Sequence, residues 1–131
     1  MRRSLIIAAL VIGIGLSLTS SEPWVETGAP TAEQASAARA GVLAFRAIGE
    51  SETGVGSVTL SQNQLAAISA LASEGLRPDR LRVAVRGDTL VATASRPLPG
   101  GRWLNFRAAF LSASRGFPSP RLSIGALTLP P

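Results

Sequence analysis

The chemistry open to this chain is narrow, because its 131 residues carry eight carboxylates and 13 arginines but no lysine, histidine, cysteine or tyrosine. Paired carboxylates can serve as acid and nucleophile in glycoside-type hydrolysis, and Asp79, Asp88 and six glutamates are the residues available for it. No two of them fall in a motif, and Asp88 follows Gly87 in a dipeptide that reads as a tight turn. The missing residue types remove an imidazole base, a thiolate or amine nucleophile and a soft metal site of the zinc kind. The sequence therefore reads as non-enzymatic, with no cofactor and no metal, and a carboxylate-dependent hydrolase is the least favoured reading. Without cysteine the redox compartment stays open.

The arginines offer a different chemistry, that of contact. Residues 22–60 hold five acids and two arginines, whereas residues 61–131 hold three acids and nine arginines. Alternation in the second half puts Arg80, Arg82, Arg86, Arg107 and Arg121 on one sheet face with Thr93, Ser95 and Asn105, and adds Trp103 and Val91. Arg80, Arg82, Arg86, Trp103, Asn105, Arg107 and Arg121 are the candidate interaction surface. Tryptophan among arginines is a common composition for a protein contact. Near an anionic membrane each arginine is worth about 1 kcal/mol. A wet sheet face also needs polar cover, and Trp103 has a plain alternative use in packing under the 97–101 loop. The tripeptide Arg86-Gly87-Asp88 is accounted for by hairpin geometry rather than by integrin binding. A pI near 11.6 suits nucleic acid, but the chain has no aromatic-basic stripe on a recognised module and is expected to be exported, so no nucleic-acid partner is assigned.

Export is read from the N-terminus. Arg2 and Arg3 precede an uncharged run from Leu5 to Leu16, followed by Ser17 and Leu18. Residues 1–21 are read as a membrane anchor or signal peptide, with the basic end held inside. The rest is then delivered across a bacterial inner membrane, to the periplasm or the cell exterior. Thr19-Ser20-Ser21 offers small residues for cleavage after Ser21, which would release a secreted form. Retention is preferred, because residues 4–21 make about 27 Å of helix and set Trp24 at the interface. With no cysteine to acylate, a lipoprotein is excluded.

Residues 22–30, with two prolines and a glycine, read as a linker ahead of an α+β domain at 31–131. Thr31-Ala-Glu-Gln34 is a capping box for a helix over 32–48 that stops at Gly49. Residues 57–60 suggest a short strand. A second capping box, Ser61-Gln-Asn-Gln64, opens a helix with a Leu65, Ile68, Leu71 stripe and Gly75 as its left-handed end. From Arg80 the period drops to 2. A Gly87-Asp88 hairpin sets Val85 opposite Leu90, Val83 opposite Ala92 and Leu81 opposite Ala94. Residues 97–101 connect to a strand over 102–111, with Leu104, Phe106, Ala108 and Phe110 inward. After a loop over 112–120, residues 121–129 read as one more strand with Leu122 and Ile124 inward. The predicted fold is two helices on one face of a mainly antiparallel four- or five-stranded sheet, behind an N-terminal membrane helix. Ala92, Ala94 and Ala108 then face the helices, leaving either close packing or a groove for a lipid chain.

The order of anchor, linker, helix, Ser61-Gln-Asn-Gln-Leu65 helix and meandering strands resembles single-span bacterial envelope proteins of the YpmS type, which place an S-x-x-x-L-N helix before a curved sheet. Ala66 stands where that pattern has asparagine. The resemblance covers arrangement and implies an anchored envelope domain; it transfers no site. The function expected is a membrane-anchored interaction module that contacts an envelope partner protein or anionic lipid at the membrane surface, with a lipid-binding groove as the alternative.

Overall fold

The computed structural model describes residues 2–26, 28–54, 56–111 and 120–129, and side chains from residue 9 onward. The fold is α+β, with three helices and an antiparallel sheet. Helix α1 (Arg2–Leu18) passes directly into strand β1 (Thr19–Ser20). Helices α2 (Ala32–Gly49) and α3 (Gln62–Gly75) follow, then β2 (Arg80–Arg86), β3 (Thr89–Leu98), β4 (Arg102–Leu111), β5 (Pro120–Ile124) and β6 (Leu127–Leu129). The sheet runs β2-β3-β4-β5-β6, and β1 continues alongside β4 through Thr19↔Leu104 and Ser20↔Trp103.

Local chemistry starts both inner helices as expected. Thr31 and Ser61 accept hydrogen bonds from the Gln34 and Gln64 amides, and each glutamine side chain accepts from the cap amide in return. The end of α3 differs: Leu76, with φ −97°, closes it, and Gly75 is not left-handed. Residues 57–60 form no strand, because Leu60 is tucked between helices, reaching the space where Gly41 lacks a Cβ.

The β2–β3 hairpin has the register expected from alternation, from Arg80↔Ser95 through Arg86↔Thr89. Gly87, at φ +62°, takes the first central position as a type II′ turn requires. Residues 121–129, expected as one strand, are instead a hairpin, turned by Gly125 (φ +54°) and Ala126. Both turn amides are bonded, Gly125 N–H to the Asn105 carbonyl at 2.8 Å and Ala126 N–H to the Ser17 carbonyl at 2.9 Å. A Cβ on Gly125 would lie 2.5 Å from the Leu18 carbonyl oxygen. The expected loop falls almost wholly on residues 112–119, outside the described residues.

The helices do not lie on the sheet face. Helix α3 runs along the free edge of β2, and its serines take the place of a further strand. Ser73 Oγ accepts from Leu81 N–H and donates to Leu81 C=O, both at 2.7 Å. One turn earlier Ser69 Oγ accepts from Val83 N–H at 2.8 Å, and Gln62 Nε2 donates to the Val85 carbonyl at 2.8 Å. A bare edge is a template for aggregation, and these side chains occupy it. Helix α2 packs on α3, with Ala38 and Ala67 buried at the seam. The expectation of helices over the alanine face is thus corrected, because buried serines rather than an apolar stripe join helix to sheet.

Among the described residues no helix covers one side of the sheet. Leu81, Val83 and Val85, then Leu90, Ala92 and Ala94, then Leu104, Phe106, Ala108 and Phe110, then Leu122, Ile124, Leu127 and Leu129 share this face. Leu90, Phe106, Leu127 and Leu129 remain 37–46% exposed.

Candidate functional site

The opposite face carries the candidate residues, and two buried polar side chains organise it. Ser95 and Asn105 are cross-strand neighbours with no exposed surface. Asn105 Oδ1 accepts from Ser95 Oγ at 2.6 Å and from Trp24 N–H at 3.0 Å, and Asn105 Nδ2 donates to Ser20 Oγ at 2.6 Å and to the Glu22 carbonyl at 3.0 Å. Ser95 Oγ accepts from the Trp24 and Val25 amides at 3.0 and 3.1 Å. All four hydrogen-bonding positions of the amide are filled, as burial of a polar group demands.

This clasp binds residues 20–25 onto the sheet, and Val25 is 1% exposed. The reading of 22–30 as a linker is therefore corrected for its first part: residues 22–25 are a strap. Asn105, expected on the contact surface, is the centre of the clasp and is fully enclosed. The alternation that put it on this face was right, but side-chain direction does not say what lies above.

Two arginines lean on the strap. The Arg80 guanidinium sits 4.5 Å over the Trp103 ring and donates to the Val25 carbonyl at 3.2 Å. Arg107 sits 4.8 Å over Trp24. Such stacks are worth about 0.5–1 kcal/mol at exposed sites and fix the guanidinium planes. Arg82, Arg86 and Arg107 then surround a cleft of about 90 Å³ with Ala84, Val91 and Thr93. Arg121 is exposed one strand away, beside Ala109. Arg80, Arg82, Arg86, Trp103 and Arg107 are thus gathered on one face, around a buried Asn105.

A larger cavity of about 420 Å³ lies between α3, β2 and the backbone around Val25, Glu26, Gly28 and Ala29, lined also by Ala66, Ala70, Ser69, Ala84 and Arg82. Among the described residues no helix packs over Ala92, Ala94 and Ala108, so neither the close packing expected there nor its alternative, a groove, is formed by the helices. Of the carboxylates, seven are exposed and Asp79 is half-buried. Asp79 accepts two hydrogen bonds from Arg96, at 2.8 and 2.5 Å, and this hydrogen bonding holds its carboxyl below the ordinary range while raising the Arg96 value. That carboxylate is ionised and occupied at neutral pH. Among the described residues no group of acids could hold a metal ion, and no helix is long and apolar enough to cross a membrane.

Sequence reasoning missed Ser69, Ser73, Ser95 and Trp24 as organising residues. Ser69 and Ser73, four residues apart in a helix, carried a usable signal, because serine is unfavourable mid-helix unless its hydroxyl has work there. Comparison with protein-family models, with characterised proteins and with solved structures returns no match to this chain.

Proposed function

We propose that this chain is a non-enzymatic, membrane-anchored module of the bacterial envelope, in which α1 seats in bilayer hydrocarbon and holds the sheet domain against the membrane surface. The observation that carries this reading is the passage of an apolar helix into the sheet with no residue between them. Leu10, Val11, Ile12, Ile14 and Leu16 are 49–63% exposed, and α1 touches little besides β1. In water such a helix is costly, at roughly 25 cal/mol per Å² of apolar surface.

At 17 residues α1 is about 25 Å long, shorter than the ~30 Å hydrocarbon core. A short apolar segment is accommodated by local thinning or by drawing its neighbours inward. Here the neighbour is a rigid sheet with an uncovered apolar face, and lipid hydrocarbon is the occupant assigned to that face. No polar side chain interrupts its centre to orient a protein partner; its two arginines, Arg96 and Arg102, lie at one end and are bonded to Asp79 and Thr19.

The same geometry supports retention of the N-terminal segment. Cleavage after Ser21 would remove β1, the two Arg102 bonds to Thr19 and the Asn105 bond to Ser20. The test is to express the full chain in bacteria, extract membranes with carbonate and sequence the N-terminus. A carbonate-resistant product that keeps residues 1–21 is expected. A soluble product beginning at Glu22 overturns the proposal, as does release of the chain from lipid vesicles in a flotation assay.

A further inference from the structure

The geometry points to an oxyanion site on the polar face, built from Arg82, Arg86, Arg107 and Thr93, whose ligand is a phosphoryl group. This inference does not depend on the membrane reading. Arg82, Thr93 and Arg107 stand in one cross-strand row, Arg82↔Thr93 and Thr93↔Arg107, and Arg86 is the next but one residue on the same face of β2 after Arg82. The three arginines surround a cleft of about 90 Å³, the space of roughly three waters.

Charge at this cleft is unbalanced. Every ion pair of the described residues involves Arg46, Arg77 or Arg96, so Arg82, Arg86 and Arg107 meet no acid there. Like charges gathered without a counter-ion repel, which a bound anion relieves. Thr93 lines the cleft, and its hydroxyl, which has no partner among the described residues, keeps contact with solvent there, so it can donate to an oxyanion seated between the arginines. Arg107 is already oriented, since Trp24 takes the face of its guanidinium and leaves the in-plane N–H donors free. Tetrahedral phosphoryl oxygens suit several converging guanidinium groups, each as a fork of parallel donors.

The ligand is a free phosphate or phosphate ester, or the headgroup of an anionic phospholipid, and the two sources share this chemistry. The full chain in an uncharged detergent is titrated with inorganic phosphate and followed by amide NMR. Saturable shifts at residues 82, 93 and 107 are expected, and Thr93→Val and Arg107→Gln should each weaken affinity about tenfold or more. Thr93→Val keeps both shape and charge, so its loss separates a built site from diffuse attraction. Arg39→Gln, on the exposed side of α2, should leave the affinity unchanged. Phosphatidylcholine vesicles with and without phosphatidic acid then identify the source: competition by phosphatidic acid assigns a headgroup, and its absence beside saturable phosphate binding assigns a soluble ligand. Shifts that never saturate, or equal weakening by Arg39→Gln and Thr93→Val, overturn the site.

Discussion

The two faces of this sheet are built from the same strands by the same alternation, yet one is closed by a strap and the other keeps large apolar side chains exposed. On the polar face a strap of residues 20–25 is held by Asn105 and Ser95 and overlaid by Arg80 and Arg107. On the apolar face Leu90, Phe106, Leu127 and Leu129 stay 37–46% exposed, with no helix of the described residues laid over them. Polar groups, being directional, make a specific intramolecular closure possible at low area. Apolar groups gain from any hydrocarbon, so their cover can come from outside the chain.

The sharpest way to break this comparison is to remove the clasp. Asn105→Ala leaves the Trp24 amide, the Glu22 carbonyl, Ser20 and Ser95 short of partners in a buried setting, and should cost about 3 kcal/mol. Urea unfolding followed by tryptophan fluorescence measures it, since Trp24 and Trp103 both report on that face. A loss below about 0.5 kcal/mol, the range of ordinary surface changes, would mean that the strap is not held by this amide. The β2 edge offers the next effect. Ser73→Ala orphans both backbone groups of Leu81 and should cost about 1–2 kcal/mol. Light scattering should also rise, because a bared edge pairs with other chains.

How far this asymmetry was legible depends on what alternation encodes. Period-2 patterning in Leu81, Val83 and Val85 against Leu90, Ala92 and Ala94 fixed the hairpin register, because a slip of one residue would invert both faces. The capping boxes at Thr31 and Ser61 likewise set the starts of two helices. Alternation says which residues share a face and nothing of what covers it. Apolar residues were therefore assigned to a helix layer, whereas the helices attach through Ser69 and Ser73 at an edge. Gly125 was read as part of a strand because its role depends on a distant contact, the Leu18 carbonyl, which no local pattern announces. The arginine row was legible as a row, but the burial of Asn105 exists only once the strap is in place.

On the open face the expected effect on stability is smaller than at the clasp, and the effect on binding is not. Phe106 is 37% exposed, so Phe106→Ser should lower unfolding stability by about 1–2 kcal/mol, short of the loss in Asn105→Ala. Binding of an apolar fluorescent dye, or of vesicles of neutral lipid, should fall because the hydrocarbon-facing area shrinks. If stability drops as far as in Asn105→Ala, Phe106 is a core residue and the two faces are not different in kind.

The smallest expected effect lies at the end of the apolar face, where Arg96 is tied to Asp79. With an Asp79 carboxyl depressed below its ordinary value of 3.8, the folded state binds that proton less readily than the unfolded chain does. The stabilisation from the pair is then fully present above the ordinary carboxyl value and is lost as pH falls through the depressed one. The melting temperature of Asp79→Asn should lie slightly below that of the parent at pH 7 and converge with it under strongly acidic conditions. Solvent screening keeps the difference slight, since the Arg96 side chain is 66% exposed. A gap that stays constant with pH would assign the effect to packing at the β2–β3 end instead of charge, and would remove the one ionic tie that fixes the rim of the open face.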